Sequence, residues 1–384
     1  MKTQGARKSP LFLSGLTSGT LKHMNQPSLS QRLHQQADSL RAMPQAFDVV
    51  LSHAAECPYT WMQLALHGLE HGWERVALQA WFQASRHLPP QWDESALQVL
   101  GLHDASALRD RSSDMSQRRS NHLKASLAPF RERHGAAAVF RIDRSLAGYL
   151  GQARVFSSHP TQQPKLLYVP GLSTNGWIDP ATIPLAQALA SAYRDIRDEF
   201  EEALHQGHPH EPFMGQMKPD VAQRYVSGPG RASWDAIFFD RHGQRHQDVH
   251  SRYPRTSRAL DSALRCCIPR QSPETCYSIL QPHTRIEPHY GVTNARVVVH
   301  LPLRVPDGCY LELVSVGRHA WKEGEVFAFD DTFFHGAENP SDQVRGILLT
   351  DAWHPELNEV ERQAFTALIT TLTDLESPPG DLVA

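Results

Sequence analysis

Cysteine is scarce. The chain of 384 residues holds five, Cys57, Cys266, Cys267, Cys276 and Cys309, an odd number with no CxxC pair. A disulfide scaffold and a thiolate zinc site are both disfavoured, and a reducing, cytoplasmic compartment is expected. Long apolar runs are missing too. The only patch near the N-terminus, Pro10 to Leu16, is too short to span a membrane and a poor core for a secretory signal, so no membrane insertion is expected. Nor is there an excess of one charge: 38 Lys+Arg face 41 Asp+Glu, a formal net charge of −3. That balance argues against a nucleic-acid partner held by bulk electrostatics. A compact HExxH motif is also lacking, which weakens a zinc hydrolase.

What remains is ordinary globular composition, 40% hydrophobic and 21% charged, in a chain long enough for two domains. Residues 1–43, rich in Ser, Gln and His towards their end, read as a disordered leader. A helical region is expected over 44–155. Within it Trp61, Leu64, Ala65, Gly68, Ala77, Trp81, Ala84 and Pro89 fall in the register of one tetratricopeptide unit, with Gly72 at its turn. No second copy follows, so a packed helical cap and a surface for a protein partner both stand. Residues 106–120 have almost no apolar side chains and read as a loop. Helical periodicity returns over 121–150, broken near Gly135.

From Lys165 the pattern changes. A short strand is expected at Leu166–Val169, a long amphipathic helix at Ile183–Ala203 and a strand at Trp234–Phe239. Further short strands follow at Cys276–Leu280, Ala295–Leu303, Tyr310–Val314, Glu325–Phe329 and Arg345–Ala352. Their turns carry Pro306-Asp307-Gly308, Lys322-Glu323-Gly324 and Asn339-Pro340. Many short strands without alternating long helices suggest a sandwich, jelly roll or barrel.

Two segments of this half carry chemistry: PHYG at 288–291 and FDDTFFHGAENPSDQVR at 329–345. His289 and His335 are 46 positions apart and can each give an imidazole nitrogen to one ferrous ion. Arg345 opens an apolar strand, where a planar grip on a carboxylate explains a guanidinium, as would a buried salt bridge. Ser278 and His300, on other strands, can add hydrogen bonds to the same carboxylate-bearing ligand. Arg296, Val298 and His300 alternate by two and share a face, which makes Arg296 a candidate to hold an acidic group of the substrate. Asp330 and Asp331 are possible ligands, although Asp331 suits a supporting role better.

VPGL at 169–172, PHYGVTNARVVVHLPL at 288–303, WKEGEVFAFDDTFFHGAEN at 321–339 and DAWHPEL at 351–357 together resemble the aspartyl/asparaginyl β-hydroxylase family of 2-oxoglutarate oxygenases. The likeness runs from about Tyr168 to Leu357. It implies an α+β protein whose double-stranded β-helix (jelly roll) catalytic domain, at 156–384, follows the tetratricopeptide-like helices. It implies Fe(II), 2-oxoglutarate and O2 as cofactor and cosubstrates, with iron on His289 and His335, and the cosubstrate on Arg345, Ser278 and His300. Most 2-oxoglutarate oxygenases place a carboxylate two residues after the first histidine. Here that residue is Gly291, as in the animal-type members, and the position is expected to stand open. Of two basic residues those members carry in the next strand, Arg296 is kept and the other is Val298. The substrate implied is an amino-acid residue that is free, peptidic or carrier-bound, hydroxylated at an unactivated carbon. The rival in another class is a non-catalytic binding or scaffold protein.

Overall fold

The computed structural model of the chain describes residues 58–87, 105–215, 219–222, 224–230 and 232–378. The leader at 1–43, Cys57 and Pro89 lie outside these. The chain divides into two compact units, Phe130–Thr366 and a helical one that joins residues before Phe130 to the chain from Ala367 onward.

In the helical unit, α1 (Pro58–Glu70) and α2 (Glu74–His87) form a helix–turn–helix. The small residues work as their spacing suggests: a Cβ on Gly68 would lie 3.2 Å from the backbone nitrogen of Ala77, and Gly72 turns the chain at φ +74°. The expected loop at 106–120 is instead part of α3 (Ala105–Ser126). Only Leu108, Met115, Leu123 and a few neighbours are buried there, so the apolar stripe is thin. Same-face pairs such as Arg118–Asp114 (2.9 Å) and Gln117–Asn121 (2.8 Å) support the helix where periodicity is faint. In the larger unit, beyond Gly135 at φ +83°, comes α4 (Phe140–Tyr149).

The larger unit is α+β, with thirteen strands among the described residues, in two antiparallel sheets. In chain order they are β1 (Trp177–Ile178), β2 (Glu211–Pro212), β3 (Val226–Ser227), β4 (Trp234–Arg241), β5 (Gln244–Arg245), β6 (Thr275–Leu280) and β7 (Thr284–His289). Then come β8 (Arg296–Arg304), β9 (Tyr310–Leu313), β10 (Gly317–Ala320), β11 (Phe327–Phe329), β12 (His335–Asn339) and β13 (Arg345–Trp353). The larger sheet runs β1-β11-β8-β13-β6-β4-β2, with β5 paired to β4, and the smaller β10-β9-β12-β7-β3.

Strand alternation gives the larger sheet two buried faces. Val297, Val299, Leu301 and Leu303 of β8 join Tyr277, Ile279 and Leu348 against α5 (Pro184–Ser191) and α6 (Tyr193–His205). Val298, Cys276, Leu280, Ile347 and Leu349 point the other way, into a core shared with Ile286, Leu311, Leu313 and Ala337 of the smaller sheet. Ser278, His300 and Arg345 have the parity of this second set and so lie between the sheets.

Several expectations are corrected. The helix expected over 183–203 is interrupted at Ala192, between α5 and α6. Leu166–Val169 is no strand, since only Leu167 makes an isolated bridge, to Thr293. Strands β7 and β12, which carry the two histidines, and the C-terminal α7 (Glu359–Glu376) were not anticipated.

Candidate active site

Strand β7 ends at His289 and β12 begins at His335, and the two are direct cross-strand partners. Residues 46 positions apart therefore hold their imidazole centroids 4.3 Å from each other. Each ring is aimed by its own backbone: His289 Nδ1 donates to the Glu287 carbonyl at 2.9 Å, and His335 Nδ1 to the Phe333 carbonyl at 2.9 Å. A carbonyl can only accept, so the proton sits on Nδ1 and each Nε2 presents a lone pair. Burial, then the neighbouring His335, pushes the His289 pKa down to about 3, and burial pushes His335 to about 4. Both are neutral at physiological pH, the form that binds metal. The loop before His335 is fixed by buried Asp330, which accepts from Thr332 N (2.9 Å), Thr332 Oγ1 (2.5 Å) and Gln162 Nε2 (2.7 Å).

The position expected to stand open after the first histidine is filled. A Cβ on Gly291 would fall 2.1 Å from the Asp331 carboxyl carbon, and Gly291 N donates to the Asp331 carbonyl at 2.6 Å. A carboxylate thus stands beside Gly291, supplied by the other histidine's loop. Its Oδ2 accepts from Arg296 Nη2 at 3.0 Å, while its buried Oδ1 has no hydrogen-bond partner.

Arg296, expected to meet the substrate, has other partners. Its second arm donates to Asp351, whose other oxygen accepts from Ser272 Oγ and Glu274 N, each at 2.9 Å. Strand parity placed Arg296 on the inner side, but a guanidinium this buried needs counter-charge, and Asp331 and Asp351 provide it.

Arg345 is the opposite case. It is 1% exposed, with no carboxylate in ion-pair range among the described residues. The buried salt bridge considered from the sequence is absent there, and burial pulls its pKa down to about 10. Its Nη1 reaches Ser278 O and Oγ at 3.3 Å, its guanidinium carbon lies 4.8 Å over the Trp321 ring, and its Nε has no partner. Ser278 Oγ also accepts from Trp234 Nε1 at 2.9 Å, which leaves its own proton to donate. His300 Nδ1 accepts a long bond from Trp321 Nε1 (3.4 Å), so its proton is on Nε2, buried and unpartnered. The register across β13 sets Ile347 opposite Ser278 and Leu349 opposite His300, which draws the three strands' donors together. Arg345, Ser278 and His300 are three donors without an acceptor equal to them.

Among the described residues one further group can hold a metal: His67, Glu70 and His71 on α1, with ligand atoms within 4.8 Å of one another. The sequence reading missed it. Its signal was the spacing HGLEH, which puts both histidines on one helical face.

Residues 190–355 match the family described as Aspartyl/Asparaginyl beta-hydroxylase. The chain is similar to Aspartate beta-hydroxylase domain-containing protein 2 of Mus musculus, 31% identical over 248 residues that cover 63% of this chain and 68% of that protein. It is 28% identical over 218 residues to Aspartyl/asparaginyl beta-hydroxylase of Homo sapiens, covering 54% of this chain and 26% of that one. A solved Pseudomonas putida prolyl-4-hydroxylase is similar at 14% identity and a TM-score of 0.27, over 47% of this chain and 93% of that one, which is too distant to carry an argument.

Proposed function

The chain belongs to the aspartyl/asparaginyl β-hydroxylase family, and on that premise we propose that it is an Fe(II)- and 2-oxoglutarate-dependent hydroxylase acting on an unactivated carbon of an amino-acid residue. The observation that carries this reading is the set of orphaned polar atoms between the sheets. Arg345 Nε and His300 Nε2 are buried donors without acceptors, and His289 and His335 are neutral imidazoles with their Nδ1 atoms already engaged. A buried unmet donor costs about 1–3 kcal/mol, so such a group is retained where a ligand satisfies it. A dicarboxylate answers the first pair and a metal ion the second. The two antiparallel sheets are then read as a double-stranded β-helix.

In this reading His289 and His335, with their Nε2 lone pairs unengaged, would hold iron, and the unpartnered Asp331 Oδ1 would be available as an acceptor beside it. Arg345, Ser278 and His300 hold the distal carboxylate of 2-oxoglutarate. Iron and 2-oxoglutarate together supply the oxidising power that puts one atom of O2 into a C–H bond and the other into succinate, with release of CO2. The residues present do the rest. Arg345 and His300 orient the cosubstrate from a dry wall of Trp321, Phe327 and Phe329, and the ion pair with Arg296 holds Asp331 in place. The names of the relatives favour the β-carbon of an aspartyl or asparaginyl residue, free, peptidic or carrier-bound.

Anaerobic titration with Fe(II) and 2-oxoglutarate tests the reading through the visible charge-transfer band of the bound pair. Wild-type protein develops the band, and His289→Ala and His335→Ala do not. Arg345→Lys keeps iron but needs at least about tenfold more 2-oxoglutarate, because a forked contact is lost. A folded wild-type protein that develops no band favours a binding or scaffold role.

A further inference from the structure

The segment at 161–167 has no place in the chemistry so far, yet it is strapped to both histidine-bearing segments. Gln163 N donates to Thr332 O at 2.8 Å, and Phe334 N returns a bond to Thr161 O at 2.9 Å. Lys165 N donates to Gly291 O at 2.9 Å, and Leu166 N to Val292 O at 3.0 Å. This holds the Lys165 backbone level with Gly291, two residues past His289, while its side chain remains exposed to solvent. Partial burial of the long side chain lowers the Lys165 pKa, an effect the Asp331 carboxylate opposes.

Three cations on the segments around this site come into question: Lys165 beside Gly291, Arg296 beside Asp331 and Arg345 beside Ser278. Arg296 is spent on Asp331 and Asp351. Arg345 is 1% exposed and set among Ser278 and Trp321, on the cosubstrate side. Val298, the next position of like parity on β8, is buried in apolar contacts. Lys165 alone of the three is both exposed and without an ion pair among the described residues.

We propose that Lys165 anchors a carboxylate of the substrate at the entrance to the His289–His335 site, and that it takes the role the sequence had suggested for Arg296. The proposal rests on the oxygenase reading for the term "substrate", but the contact itself is testable without turnover. A part-exposed ion pair contributes up to about 1 kcal/mol, roughly fivefold in affinity.

The probes are the blocked tripeptides Ac-Ala-Asp-Ala-NH2 and Ac-Ala-Leu-Ala-NH2, titrated calorimetrically into the full chain. One series uses iron-free protein and a second uses protein with Fe(II) and 2-oxoglutarate under nitrogen. Wild type should bind the aspartyl peptide up to roughly fivefold tighter than the leucyl one. Lys165→Ala should abolish that preference, Lys165→Glu should invert it and Lys165→Arg should keep it, with the visible band unchanged in all three. Equal affinities for the two peptides in wild type, no binding of either, or a preference that survives in Lys165→Ala overturns the proposal. A wild type with no band but an intact, Lys165-dependent preference would instead sink the oxygenase reading and leave the anchor standing.

Discussion

A methyl group on Gly291 would lie 2.1–2.3 Å from the carboxyl atoms of Asp331, closer than any real contact. Gly291→Ala must therefore push Asp331 off Arg296 or bend the end of β7. We expect it to destabilise the protein by about 1–3 kcal/mol, as overpacking does, and to weaken iron binding. In an Asp331→Ala background the same change should cost much less, because the blocking carboxylate is gone. Urea unfolding of the four proteins decides this: equal costs in both backgrounds would place the strain elsewhere. The contact also rules out the simple idea that an added Asp at 291 would slip into free space. Single residues were legible where their oddity was local. Arg345 stood out as a charge in an apolar strand, and the two histidines sat in recognisable segments. For Arg296, parity told which side it faces, not what waits there. Its partners Asp331 and Asp351 are 35 and 55 positions away. Lys165 gave no signal, since an isolated lysine in a loop looks like any solvated one.

Elements were legible in proportion to the regularity of their burial. Strands β4, β6, β8 and β13 are buried almost end to end and read as apolar runs. Strands β7 and β12, with the sequences TRIEPH and HGAEN, carry polar and charged residues, so their pairing is visible only through register. Helix α3 failed the same test from the other side, being nearly polar all round. The α1–α2 pair was read correctly from its small residues, and that contact is open to test. Gly68→Val would drive a branched side chain against the Ala77 backbone, whose nitrogen is 3.2 Å from the added Cβ and whose Cα is at 3.3 Å. The neighbour is backbone and cannot turn aside, so the helical unit should lose about 1–3 kcal/mol. Gly72→Ala meets nothing within 4 Å but sits at φ +74° and should cost less, about 1 kcal/mol. Thermal unfolding followed at helical wavelengths ranks the two variants. If Gly72→Ala proves the more damaging, the close approach of the two helices is not what Gly68 serves.

At the scale of the whole molecule, the site stores charge-state information that the bare fold must accommodate. His289 (about 3), His335 (about 4) and His300 (well below its ordinary value) are all held neutral chiefly by burial. Unfolding returns each to an ordinary imidazole pKa of about 6.5. Below that pH the unfolded chain binds protons that the native site refuses, so their contribution to stability is complete above about 6.5 and drains away as the pH falls toward 4. Asp330 works in the other sense. Burial raises its pKa to about 6, so the native carboxyl takes a proton before the unfolded one does and recovers some stability on acidification. Three imidazoles against one carboxyl leave a net uptake of two protons on unfolding near pH 5. At roughly 1.4 kcal/mol per proton and pH unit, that is a loss of roughly 3 kcal/mol per unit from this site. The metal-free protein, kept in chelator, should therefore lose stability steeply from about pH 6 to pH 4.5. His300→Gln, which removes one titrating ring but keeps a polar side chain, should roughly halve this site's slope, from two protons to one. Urea midpoints measured in half-unit steps of pH test this. A flat profile for wild type, or an unchanged slope in His300→Gln, would mean that the imidazoles between the sheets take up protons without opening the core.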